Sequence, residues 1–433
     1  MLKQNRLYID IVVLGFAIFS MYFGAGNIIF PPYLGLTSSS DWQISFFAYF
    51  LADIVFATIA MFALLKVGGN VDDLTNKLGK ISGILLMSAI VLCIGPLIAL
   101  PRTGATTYEM LVVPIFGASF SNSIITSIIY YSLIMFFTFR PTSMIEILGK
   151  VLTPLLFFGL IFLIVKGIVT PIGEIALNTT NNNLFFDGLI LGYQTLDVLA
   201  ALAFGIIIIK TVNEKGYKDK KSISKIVGFA SLLAAFGIML VYFGLSYLGA
   251  TASSLYGADI QKAVLLNKII NILFGDYGNI FLGIVVFLAC FTTGAALVSV
   301  TAEYFSKLSN RKISYKILVI IVTLFSIFVT NIGLEQIISF AGPILTIIYP
   351  AAIILVVLAF FDKYIKNDNV YKFSAFTAMI FCLLEVISSS TAFNIQFLKY
   401  FPLSNEGLAW LLPALISGFI AVFIGKKAIN KNI

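Results

Sequence analysis

The chain contains no histidine among its 433 residues. A Ser-His-Asp or Cys-His catalytic device and any zinc site built on imidazole are therefore unavailable, which excludes most metal-dependent membrane enzymes. Cysteine is scarce too. Cys93, Cys290 and Cys382 stand far apart in apolar stretches and form no CxxC pair, so they read as small buried hydrophobes without a redox role. No GxxxxGK[ST] sequence is present. Direct use of ATP is not expected, and energy for any transport would have to come from an ion gradient or from the substrate itself. Charge is thin as well: only 11% of residues are Asp, Glu, Lys or Arg, too few to solvate the surface of an ordinary soluble domain.

What is abundant is apolar. The chain is 60% hydrophobic with a mean hydropathy of +1.02, and apolar runs near the roughly 20 residues needed to cross a bilayer recur from end to end. The expected architecture is an all-α membrane bundle of about twelve spans. In the first half they lie near Tyr8 to Phe30, Gln43 to Leu65, Ile81 to Pro101, Ser123 to Phe139, Leu148 to Val169 and Leu191 to Ile209. The second half gives Ile226 to Gly249, Ile280 to Ala302, Ile313 to Ile332, Ile337 to Phe361, Phe373 to Ser389 and Leu408 to Gly425. The apolar-polar alternation of a transmembrane barrel is missing.

Of the 28 Lys and Arg residues, all but Arg102, Lys166, Lys262, Lys268 and Lys399 fall on one side of this threading, which predicts both termini in the cytoplasm. The net charge of +8 is mostly this topological signal and not a nucleic-acid surface. The first apolar run is too long for a signal peptide and continues into further spans. The Asn-Thr-Thr at Asn178 matches a glycosylation acceptor by a pattern too short to carry weight.

The first span contains "FSMYFGAGNIIFPPYLG", Phe19 to Gly35. Two glycines and an asparagine are costly in a lipid-embedded helix. Gly24, Ala25 and Gly26 let the backbone leave the helix, and amides freed at membrane depth are tolerable where they line a cavity and meet a ligand. A half-helix starting near Asn27 would aim its positive end at an anion such as a carboxylate, while carbonyls ending the first half could hold a cation. Pro31 and Pro32 suit the first turn of the restarted helix. A seam of small residues against a neighbouring helix is the competing reading.

The sixth span, "LGYQTLDVLAALAFGIIII", offers a second interruption, with Gly192, Gly205 and an in-span carboxylate at Asp197 that either serves a site or lies in an outer vestibule. In the eighth span, Thr292 and Thr293 offer adjacent hydroxyls to a hard cation, or bond their own helix one turn back.

The segments "FGAGNIIFPPYLG", "IALPRT" and "LAALAFG" resemble the signature segments of the branched-chain amino-acid:cation symporters, the BrnQ-type carriers of bacteria, within the amino acid-polyamine-organocation superfamily. The resemblance runs over essentially the whole chain. It implies one transmembrane domain, 1–433, with a leucine-transporter (LeuT) fold: inverted five-helix repeats at about 8–170 and 190–361, broken helices 1 and 6, and two added helices at about 373–425. By that resemblance a sodium ion lies between carbonyls of Ser20 and Phe23 and the Ala289, Thr292, Thr293 set. The substrate carboxylate rests on the amides of Gly24, Ala25 and Gly26, and the amine lies near carbonyls of the sixth helix; Asn27 and Asp197 are assigned to the same substrate site. Phe204 packs against the side chain. Leu199 stands where the fold's second sodium site has a threonine, which leaves that second ion in doubt.

Arg102, expected at the outer end of the third span, is assigned to an outer gate closing on Asp197, Glu109 or Glu335, with interfacial snorkelling as the alternative. Asp53 and Glu385 are proton-linked groups or buried polar partners.

The function implied is symport of Leu, Ile and Val with Na+ or H+ across the bacterial cytoplasmic membrane, with no cofactor, no nucleic acid and no obligate protein partner. A non-transporting amino-acid sensor of the same fold is the alternative.

Overall fold

The computed structural model describes residues 2–67, 71–139, 148–177, 183–390 and 395–424. Asn178, Arg140, Lys426, Lys427 and Lys431, used above for the glycosylation and orientation readings, lie outside them. All regular structure among the described residues is helical.

In chain order, the first half comprises α1 (Leu2–Tyr22), α2 (Ala25–Ser38), α3 (Trp42–Phe50), α4 (Phe56–Lys66), α5 (Lys80–Leu92), α6 (Ala99–Thr107), α7 (Phe120–Thr138) and α8 (Thr153–Val169). The rest comprises α9 (Leu184–Tyr193), α10 (Asp197–Glu214), α11 (Lys220–Thr251), α12 (Lys262–Phe274), α13 (Asp276–Leu308), α14 (Tyr315–Thr330), α15 (Leu334–Phe360), α16 (Asn369–Ser390) and α17 (Leu411–Phe423). Nine stretches among the described residues are long and apolar enough to cross a bilayer, and Leu7–Tyr22, Tyr315–Thr330 and Leu411–Phe423 are shorter apolar helices. Each expected span overlaps one of these.

Among the described residues, three apolar crossings are interrupted rather than two. Besides the α1–α2 and α9–α10 breaks, the third crossing unwinds at Gly95, whose backbone is non-helical (φ −83°, ψ −124°), and restarts at Ala99. It then runs on through a polar stretch to Phe116, well past the Pro101 boundary read from hydropathy. The Gly95-Pro96 pair is the sequence signal for this break. A further departure is α12, a helix between the seventh and eighth crossings where none was expected.

α2 and α11 meet in backbone contact. A Cβ at Gly249 would lie 1.8 Å from the Pro32 carbonyl oxygen, and one at Gly35 would lie 1.8 Å from that of Ser246. Glycine is what permits this approach. Large aromatic side chains, among them Phe19, Phe23, Phe30, Tyr49, Phe204, Tyr242 and Tyr349, fill the interior around the breaks and are fully buried.

Candidate functional site

The α1 helix closes with the Phe23 N–H donating to the Phe19 carbonyl at 2.8 Å. Gly24 is extended (φ −110°, ψ −156°), and α2 begins at Ala25, two residues before the expected start. Pro31 and Pro32 therefore sit inside α2, nearly two turns in, and not in its first turn. Asn27 is what makes the restart possible: its Oδ1 accepts the Gly24 N–H at 3.1 Å, satisfying a donor that the break would leave orphaned. The Asn27 Nδ2 donates to Asp197 Oδ2 at 2.7 Å and to the Tyr242 hydroxyl.

The sixth crossing breaks at Gln194, Thr195 and Leu196, not at the glycines singled out above. Gly192 and Gly205 both lie within helices, α9 and α10. A Cβ at Gly192 would meet Ala52 and Tyr49, and one at Gly205 would meet Leu64, so both are packing positions. Leu196 takes the left-handed turn itself, at φ +70°. For a non-glycine residue this conformation costs about 1–2 kcal/mol, so the surrounding structure must hold it.

Asp197 opens α10 and is 3% exposed, enclosed by protein and not solvated. It belongs to a buried polar cluster that links both breaks. Asp53, fully buried on the π-helical turn between α3 and α4, accepts from the Thr195 hydroxyl at 2.8 Å and from the Tyr242 hydroxyl at 2.7 Å. Tyr242, which sequence reasoning did not single out, thus joins Asp53 to Asn27. Asp53 acts here as a polar partner of the unwound Thr195, while Glu385 lies elsewhere, accepting from the Ala409 N–H at 3.3 Å.

Thr292 and Thr293 of α13 both reach α1. The Thr293 hydroxyl donates to the Ser20 carbonyl at 2.8 Å, and the Thr292 hydroxyl lies 2.9 Å from the Ala289 carbonyl and 3.3 Å from that of Ser20. Back-bonding along the helix therefore accounts for Thr292 only in part, and not for Thr293. The Ser20 hydroxyl is turned to the Ala17 carbonyl, so Ser20 offers its carbonyl alone. Phe23 ends the same helix, fully buried. The set is neutral oxygen throughout, the ligand type that suits a hard cation.

Arg102 is not at the outer end of a span. It is 3% exposed within α6, every residue of which is buried. Its Nη1 donates to the Gln194 carbonyl at 2.6 Å and its Nη2 to the Thr195 carbonyl at 3.2 Å. Among the described residues no carboxylate lies within 4.0 Å of it, and Glu335 is 3.8 Å from Lys262. Arg102, Gly24, Ala25, Asn27, Asp197, Phe204 and Thr293 together border one interior cavity of about 20 Å³. Gly26 lies beside it, its α-carbon facing the guanidinium. The residues assigned from sequence to substrate thus gather at one place, with the Ser20, Thr292 and Thr293 oxygens next to it.

Solved membrane carriers share this fold. A Na+-coupled sialic acid symporter matches with a TM-score of 0.63 at 13% identity, over 97% of this chain and 91% of that one. MhsT in complex with L-phenylalanine matches with a TM-score of 0.60 at 15% identity, over 95% and 97%. The fold is that of the LeuT-type membrane carriers. The model of the family described as branched-chain amino acid transport protein matches residues 8–428, and the chain belongs to that family. The branched-chain amino acid permease BrnQ of Escherichia coli K12 is 34% identical over 424 residues, 97% of this chain and 96% of that protein. The permease BraB of Bacillus subtilis 168 is 34% identical over 445 residues, 99% and 100%. The protein is a multi-pass membrane transport protein and not an enzyme.

Proposed function

We propose that this protein imports leucine, isoleucine and valine by Na+-coupled symport across the bacterial cytoplasmic membrane, with both termini inside. The observation that carries the coupling is the pair of α13 hydroxyls meeting the Ser20 carbonyl where α1 ends. A sodium ion entering there would take lone pairs of the Ser20, Ala289, Thr292 and Thr293 oxygens, with Phe23 adding its carbonyl.

The substrate carboxylate then lies on the Ala25 and Gly26 amides, at the positive end of α2. The Gly24 amide is already held by Asn27 in this closed arrangement. The amine faces the α9–α10 break, where Asp197 supplies an acceptor, and Phe204 gives the branched side chain an apolar wall. One methylene in such a pocket is worth about 1–3 kcal/mol, so the three substrates share the site with modest discrimination. One cation entering down about 100 mV contributes roughly 2.3 kcal/mol, on the order of 50-fold accumulation of a zwitterion.

The Lys and Arg distribution supports the orientation. Alternating access follows from a bundle that contains both interrupted helices rocking against the remaining scaffold. Arg102 spans from α6 to the α9–α10 carbonyls, and release of those two bonds is the gating event as the site opens.

Uptake of radiolabelled leucine into proteoliposomes tests this. Wild type should follow an imposed Na+ gradient, and Thr293→Ala should lose at least about tenfold of the Na+-driven rate, one charge-assisted contact being worth roughly 1.5–3 kcal/mol. Uptake that follows a pH gradient alone would reject sodium and turn attention to the Asp53–Asp197 cluster.

A further inference from the structure

We infer that Arg102 is a direct ligand of the substrate's carboxylate, not solely a latch between helices. This rests on the proposed amino-acid substrate.

The guanidinium lies against the first turn of α2. A Cβ at Gly26 would be 2.8 Å from Arg102 Nη2, so the absence of a side chain there is what admits the head group. The Phe30 ring, one turn on, lies 5.5 Å from Arg102 Cζ. Two positive features are thereby set side by side in the interior: an always-charged guanidinium and the N-terminal end of a 14-residue helix.

Nothing in the described residues neutralises the pair at contact distance. Two backbone carbonyls partly solvate Nη1 and Nη2, but Nε is buried without a partner. Asp197, an acid of the same cluster, is engaged by Asn27 and does not form an ion pair with Arg102. A buried guanidinium without a contact ion pair is expensive, and a fork of N–H donors matches the geometry of a carboxylate. The cavity that Arg102 borders is also bordered by Gly24, Ala25 and Phe204. An α-amino acid admitted there as the cavity widens brings an anion to Arg102 and the α2 amides together, leaving its side chain toward Phe204.

The test compares leucine with leucinol, which has the same side chain and amine but no carboxylate. Displacement of radiolabelled leucine is measured on the purified full chain in Na+ buffer, for wild type, Arg102→Gln and Arg102→Lys. Wild type should prefer leucine strongly. Arg102→Gln removes the bonds to Gln194 and Thr195 as well, so it weakens both ligands to some extent; leucine should lose about tenfold or more beyond the loss in leucinol, narrowing the preference by that factor, and Arg102→Lys, which keeps the charge but not the fork, should fall between.

Equal weakening of both ligands in the variants, or an unaltered preference, overturns the assignment and returns Arg102 to a purely positioning role. If Arg102→Gln does not fold, the Lys variant carries the comparison. Failure of wild type to bind leucine at all would instead remove the proposed substrate, and this inference with it.

Discussion

Gly249→Ala should yield little folded carrier. The added methyl would stand 1.8 Å from the Pro32 carbonyl oxygen, and the contact is with backbone, so no rotamer change can relieve it. Relief requires α2 and α11 to part along their crossing, at a cost at or above the roughly 1–3 kcal/mol usual for overpacking. Gly35→Ala attacks the same crossing from the other side, against the Ser246 oxygen, and should behave alike. Gly342 in α15 is the matched control: its Cβ would meet nothing within 4 Å, so Gly342→Ala should be neutral or slightly stabilising. The monodisperse yield after detergent extraction and the thermal midpoint report the outcome. Wild-type values for both crossing variants would mean that the two helices do not touch backbone to backbone.

Replacing Asn27 should be the most damaging polar substitution at the site. One amide side chain accepts from Gly24 N–H and donates to both Asp197 and Tyr242. Asn27→Leu removes all three contacts from a buried position, and orphaned groups cost about 1–3 kcal/mol each. Asn27→Asp retains the acceptor for Gly24 but loses both donors and places a third carboxylate beside Asp53 and Asp197. Both variants should lose leucine uptake by about a hundredfold or more and lower the thermal midpoint. Wild-type uptake by Asn27→Leu would show that the Asn27 bridge between the breaks is dispensable.

The spans were legible because hydropathy reports lipid-facing helices faithfully. The first break was legible because Gly-Ala-Gly-Asn leaves few alternatives, and the hydroxyl pair because Thr292 and Thr293 are adjacent. The depth of Arg102 was hidden for a physical reason. α6 reads "ALPRTGATT", polar enough to suggest the end of a span, yet all of it is enclosed by other helices and none of it faces lipid. Hydropathy cannot separate a polar helix in the protein interior from one in water. The second break was misplaced because the left-handed residue is Leu196, whereas Gly192 and Gly205 serve helix packing. Local composition carries no mark of a strain that distant contacts impose. Tyr242 went unnoticed because one tyrosine in an apolar run resembles any other until Asp53 and Asn27 are brought to it.

The cavity where these residues meet, at about 20 Å³, has room for about one water. Leucine needs more room than one water does, so the cavity has to widen before substrate is admitted. Volume is then a coordinate of the transport cycle. Hydrostatic pressure, which favours whichever state has the smaller volume, should populate the closed arrangement and slow uptake, while leaving the helices intact at pressures below those that unfold them.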